Sequence, residues 1–311
     1  MTPFSEYLSR IKSALARGDA TEHTHRTALQ LLVDSLAPGV TATNEPKRVD
    51  CGAPDYIISK GRVPIGYIEA KDVGKSLDDP AYKEQFTRYR ESLGNLIVTD
   101  YLEFRWYVGG EHRLTARLAD LGPNSKLRES RDGAQPVEEL LRLFLETQTP
   151  IIGRPKELAE RMARLARLIR EAIPKALDSE DKGGTLHDQM EGFRRTLLRE
   201  LSEAEFADMY AQTICYGLFA AWYNADKPLE FTREHAAFDL PKTNPFLRTT
   251  FQHIAGYDLE PRIAWVVDDV ANLLARADRE AILRDFGTRT GRQDPVVHFY
   301  ETFLAAYDPK L

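Results

Sequence analysis

"PDYIISKGRVPIGYIEAK", residues 54–71, reads as two short apolar strands joined by a tight turn at Gly61. Three charged residues, Asp55, Glu69 and Lys71, interrupt an apolar pattern built for burial. An isolated buried charge is costly, so such groups are normally paired or bound to a metal. Side chains alternate faces along a strand, which sends Glu69 and Lys71 the same way with Ala70 between them. Whether Asp55 joins them depends on register. A two-residue loop at Gly61-Arg62 pairs Asp55 with Ile68 and turns it to the wrong face. A three-residue loop, Gly61 to Val63, pairs it with Glu69. The expectation is therefore an odd loop, or a bulge near Pro54 that swings Asp55 round.

Two carboxylates brought together repel unless a cation lies between them. Oxygen ligands at a hydrated site suit Mg²⁺, with Mn²⁺ as its substitute, since Mg²⁺ keeps several waters and binds through one or two carboxylates plus substrate phosphate. A lysine beside them can orient the attacking water and stabilise charge building on phosphorus, while the metal lowers the pKa of that water. Acid, acid and lysine on adjacent strands thus point to phosphodiester hydrolysis.

The bulk composition is that of a soluble globular protein, not a disordered one. Of 311 residues, 42% are hydrophobic and 29% charged, and the net charge is −6. That charge is no signature of a nucleic-acid binder, so DNA affinity has to come from a local patch or a partner domain. No apolar run is long enough to span a membrane, and the N-terminus lacks the apolar core of a signal peptide. The two cysteines, Cys51 and Cys215, have no metal-ligand spacing, which suggests a reducing cytoplasm.

Around the hairpin, helices are expected over Phe4–Ala16 and Glu22–Leu36, the latter with Ala28, Leu29, Leu32, Val33 and Leu36 on one buried face. "APGVTATNEPKR" reads as a loop by its Pro, Gly, Thr and Asn content. Pro80 opens a helix, "PAYKEQFTRYRESL", closed by Gly94, and "NLIVTD" and "LEFRWYVGG" follow as strands. This gives an α/β sandwich with a small mixed sheet flanked by helices over residues 1–148. Residues 149–311 read as an all-α domain. There the apolar stripe Leu158, Met162, Leu165, Ile169 carries Arg161, Arg164, Arg167 and Arg170 on the remaining surface, either a solvated face or a DNA track. His23 and His25, at alternate helical positions, suit surface or capping roles better than a metal cluster. "TNPFLR", residues 243–248, reads as a turn.

Pro54-Asp55…Glu69-Ala70-Lys71 resembles the P-D…E-x-K pattern of the restriction-endonuclease-like nuclease superfamily, in the strand, turn, strand, helix context of that superfamily's core. Gln85 and Tyr89, with Q-x-x-x-Y spacing on the next helix, are similar to its RecB-like branch. The resemblance implies Asp55 and Glu69 as metal ligands, Lys71 orienting water and Gln85 supporting the site. Glu22 resembles an upstream helical acid that contributes to the metal in some members, although acids are also favoured in first turns. The helical half, above all "DPVVHFYETFLAAYDPKL" (residues 294–311), looks like the connector of fused type IIG-like restriction–modification enzymes.

In that family a nuclease precedes a helical linker, an N6-adenine methyltransferase and a DNA-recognition domain. The chain is then expected to be a metal-dependent deoxyribonuclease module, with S-adenosylmethionine binding only in a portion outside it. Its partners would be double-stranded DNA, methyltransferase and recognition domains in cis or trans, and a second copy for double-strand cleavage. Two rivals stand beside this expectation: a non-catalytic scaffold docking a methyltransferase, and a stand-alone RecB-like exonuclease.

Overall fold

Val63–Ala70, the second half of the opening stretch, lies inside a six-stranded mixed sheet. The computed structural model describes residues 2–17, 22–44, 53–61, 63–123, 126–147, 151–180, 184–196, 199–240, 251, 259–289 and 295–308. The chain divides into two compact units, Met1–Pro46 with Pro54–Thr149, and Lys47–Ala53 with Pro150–Leu311.

In the first unit the sheet follows chain order: β1 (Val40–Asn44), β2 (Tyr56–Lys60), β3 (Val63–Ala70), β4 (Asn95–Thr99), β5 (Glu103–Val108) and β6 (Glu111–Arg117). Only β3 and β4 run parallel among these neighbours. A parallel step needs a crossover, and α3 (Lys83–Ser92) lies in it. A short ribbon, β7 (Ala119–Leu121) with β8 (Leu127–Glu129), stands apart. On one sheet face, α1 (Pro3–Arg17), α2 (Glu22–Leu36) and α4 (Gln135–Glu146) share a core with Ile58, Ile68, Ala70 and Ile97. Tyr7, Ile11, Leu29, Val33, Leu141 and Phe144 complete it, each removing apolar area worth roughly 1.5–3 kcal/mol. Glu69, alternating with Ile68 and Ala70, faces the other way, toward α3.

Five elements of the first unit depart from expectation. "APGVTATNEPKR" is not wholly a loop, because Val40–Asn44 pairs with β2 as an edge strand. Its alternation of buried Val40 and Ala42 with exposed threonines is a strand pattern that the flanking Pro38 and Gly39 obscure. The strand β6, the ribbon strands β7 and β8 and the helix α4 were not expected.

The hairpin register resolves the position of Asp55. Lys60 pairs with Val63, so the loop holds two residues, not three. The pairing then shifts between Ile58 and Ser59: Ser59 faces Pro64 while Ile58 faces Gly66. Ile65 is thus an extra residue, a bulge in mid-hairpin and not near Pro54. Beyond it Tyr56 pairs with Ile68, so the next pair along the strands is Asp55 with Glu69. Asn95 holds the bulge, its Nδ2 donating to the carbonyls of Ile65 at 2.8 Å and Phe144 at 3.0 Å. Gly66 is required beside it, since a Cβ there would come 2.5 Å from the Phe144 ring.

The second unit is helical, with no strand among its described residues: α5 (Pro155–Ser179), α6 (Thr185–Thr196), α7 (Glu203–Asn224), α8 (Arg233–Asp239), α9 (Pro261–Ala275), α10 (Arg279–Arg289) and α11 (Pro295–Tyr307). A capping box between Ser202 and Glu205 starts α7, which buries residues around its whole circumference. Phe219 of α7 stacks on Phe299 of α11 at 3.6 Å. The stripe Leu158, Met162, Leu165, Ile169 is buried as its spacing requires. Two of the α5 arginines do more than cover a solvated face, while Arg161 pairs with Glu157 on its own helix. Arg167 donates to the carbonyls of Ala306 at 2.9 Å and Tyr307 at 3.3 Å, and Arg170 lies over the Tyr307 ring. These two tie α5 to the end of α11 and are part of the packing. No described helix is long and apolar enough to cross a membrane. The "TNPFLR" turn lies outside the described residues.

Candidate active site

Asp55 sits at the mouth of β2, one residue before the strand, where it is only 8% exposed. Its Oδ2 accepts the Ala70 backbone N–H at 2.8 Å, which fixes the carboxylate against the end of β3. Glu69, at 3% exposure, is carried by β3 itself. Its Oε1 accepts from Lys71 Nζ at 2.6 Å and from Gln85 Nε2 at 2.9 Å. Lys71 follows the last residue of β3, and its backbone N–H donates to the Thr99 carbonyl at the matching end of β4. Its ammonium also donates to Gln85 Oε1 at 2.8 Å and lies over the rings of Tyr82 and Phe86.

Gln85 and Tyr89 face the sheet because Asp79 and Pro80 fix the entry of the crossover helix. Asp79 accepts the Ala81 N–H at 2.9 Å and caps a short 3₁₀ turn that runs into α3. One turn later, Tyr89 is fully buried, with its hydroxyl 3.5 Å from Gln85 Nε2. Burial first, then the charges of Glu69 and, more weakly, Asp55, push that phenol far above its ordinary range. Both carboxylates therefore act on one neutral hydroxyl. Glu69, Lys71 and Gln85 are hydrogen-bonded to one another, and Asp55 is held next to them by the Ala70 N–H.

The sequence did not flag Arg26. It lies on α2, is 2% exposed, and donates to Asp55 Oδ1 in a short ion pair. Its other terminal nitrogen donates to Asn44 Oδ1 at 3.2 Å, and its backbone carbonyl accepts the Tyr56 hydroxyl at 3.1 Å. A signal existed: Arg26, Leu29, Val33 and Leu36 continue one helical face, which puts the arginine on the side that packs against the sheet.

Glu22 opens α2, but its side chain and that of His23 lie outside the described residues. His25 corrects the sequence expectation of a surface or capping role. It is 2% exposed with its ring 5.5 Å from that of Tyr101. Burial lowers its pKa, opposed by Asp72 and aided by Arg17.

Among the described residues no group of three or more His, Cys, Asp or Glu side chains is placed to hold a metal. The candidate is a pair of carboxylates, and a hard, hydrated Mg²⁺ fits two such oxygen donors with waters completing the shell. The buried Asp55 and Glu69 therefore suit that ion, while a soft or fully protein-ligated metal would lack donors here.

No family model matches the chain, and no curated protein matches it. Among solved structures, the cryo-EM structure of a DrdV–DNA complex is similar at 18% identity and a TM-score of 0.38, covering 98% of this chain and 26% of that one. The chain spans about a quarter of the length of that protein.

Proposed function

We propose that the first unit is a Mg²⁺-dependent DNA endonuclease module with a restriction-endonuclease-like sandwich, and the second a helical connector. One observation carries the proposal: Glu69, Lys71 and Gln85 form a single hydrogen-bonded cluster, and the Ala70 N–H beside Glu69 holds the Asp55 carboxylate at the same end of β3. A structural salt bridge needs only one acid and one base, whereas metal-dependent phosphodiester hydrolysis uses carboxylates for the ion and a separate donor to orient water.

Asp55 and Glu69, with the Ala70 carbonyl, would hold the metal, and Glu22 is the candidate for a third acid. Bound there, Mg²⁺ supplies Lewis acidity toward the scissile phosphate and its attacking water. Lys71 has three donors, of which Glu69 and Gln85 take two. The third is available to orient water or to hydrogen-bond a phosphate oxygen. Gln85 fixes the ammonium by accepting from it while donating to Glu69. Tyr89, kept neutral, closes the back of the site. The products would be 5′-phosphate and 3′-hydroxyl ends, with one strand cut per site, so double-strand cleavage takes two copies. Methylation and sequence readout would belong to a methyltransferase and a recognition domain, in cis or trans.

Lys71→Ala and Glu69→Ala should each lower Mg²⁺-dependent cleavage of double-stranded DNA by roughly 100-fold or more, with circular dichroism unchanged. Undiminished cleavage in both variants would overturn the site assignment. Circular and linear DNA cut alike separates this endonuclease from an exonuclease, which spares circles.

A further inference from the structure

Arg26 adds a charge to the site that the nuclease reading, on which this inference rests, does not use. Around the Asp55–Glu69 pair stand two cations, the Arg26 guanidinium on Asp55 and the Lys71 ammonium on Glu69. The four side chains sum to zero, and all are largely withdrawn from water: the exposures of the side chains alone are 3% for Arg26, 10% for Asp55, 3% for Glu69 and 14% for Lys71. Arg26 is also tethered where it cannot swing away. Its side chain holds the last residue of β1 through Asn44, and its carbonyl holds the first residue of β2 through Tyr56. With Ala70 N–H on the other oxygen, both oxygens of Asp55 carry a donor.

We propose that Arg26 is a positioning residue that fixes the Asp55 carboxylate and, through its fixed charge, holds the site's divalent-cation affinity low. A divalent ion entering the neutral set is attracted by two carboxylates and repelled by two cations. Even at the dielectric constant of water, a unit charge about 6 Å from a divalent ion changes affinity about tenfold. A phosphate diester joining the site supplies the missing negative charge.

The test is a calorimetric titration of the full chain with Ca²⁺, a hard oxygen-seeking ion, for wild type, Arg26→Met, Arg26→Gln and Arg26→Lys, with circular dichroism as the check on folding. The neutral variants should bind Ca²⁺ about tenfold more tightly than wild type, and Arg26→Lys should stay within about threefold of it. A folded neutral variant that binds equally or more weakly overturns the proposal, because a purely structural arginine could only weaken the site when removed. Should neither neutral variant fold, a larger loss in Arg26→Lys overturns it, since that variant keeps the charge. Failure of the nuclease reading looks different: wild type then binds no divalent ion, with or without a short DNA duplex, and Asp55→Asn changes nothing.

Discussion

His25 shows what burial does to a single titratable side chain. Its imidazole sits against Tyr101 at 2% exposure, and desolvation lowers its pKa below the ordinary value of 6.5. The unfolded chain therefore binds a proton that the folded chain refuses. The stability from keeping His25 neutral is fully present above about pH 6.5 and is lost as pH falls through that value toward the depressed folded pKa. Chemical denaturation between pH 7.5 and 5 should show this slope, and His25→Gln should flatten it. An unchanged slope would mean that Asp72, which opposes the shift, leaves the ring free to protonate in the fold. The sequence misjudged His25 and overlooked Arg26 for one reason. The apolar face of α2 was read from Ala28 onward, but burial extends a turn further toward the N-terminus. By contrast Asp55, Glu69 and Lys71 were legible, because a charge among β-branched and aromatic neighbours announces itself.

At the scale of elements, the site depends on a bulge. Without Ile65 as an extra residue, the two-residue loop would leave Asp55 opposite Ile68, on the wrong face. Asn95 is the staple, donating to the Ile65 and Phe144 carbonyls and accepting Trp106 Nε1–H at 2.8 Å. Asn95→Ala removes three hydrogen bonds and strands buried polar groups, so it should destabilise the first unit by about 2–4 kcal/mol. Cleavage should fall further than the unfolded fraction explains, because the register that delivers Asp55 is loosened. Stability from urea denaturation, compared with rates corrected for folded protein, separates the two effects; equal losses would show that the bulge does not set the site. The need for an odd register was legible in the spacing of Asp55 and Glu69. Its location was not, since the bulge is selected by a side chain thirty residues downstream in β4. Similarly, β1 was hidden by turn residues at its ends, which local composition cannot separate from the strand between them.

For the whole molecule, the chain folds as two compact units. The helical unit owes its order to packing around α5 and α7, and Arg167 and Arg170 serve that packing. Arg167→Ala should lower its stability by about 2 kcal/mol in thermal unfolding and leave DNA affinity unchanged in a binding titration. A loss of DNA affinity without a loss of stability would restore the DNA-track alternative. The helical class of this unit was plain from its periodicity, while the roles of Arg167 and Arg170 depended on which helix lay opposite, which no local pattern records.

The central claim is that Asp55 and Glu69 share a divalent ion beside Lys71. Anomalous diffraction from crystals of the protein soaked in Mn²⁺ tests it most directly. The account expects a peak about 2 Å from a carboxylate oxygen of each residue, with Lys71 still hydrogen-bonded to Gln85. Crystals that take up Mn²⁺ elsewhere, or show both carboxylates bound only to Arg26 and Lys71 at saturating Mn²⁺, would contradict it.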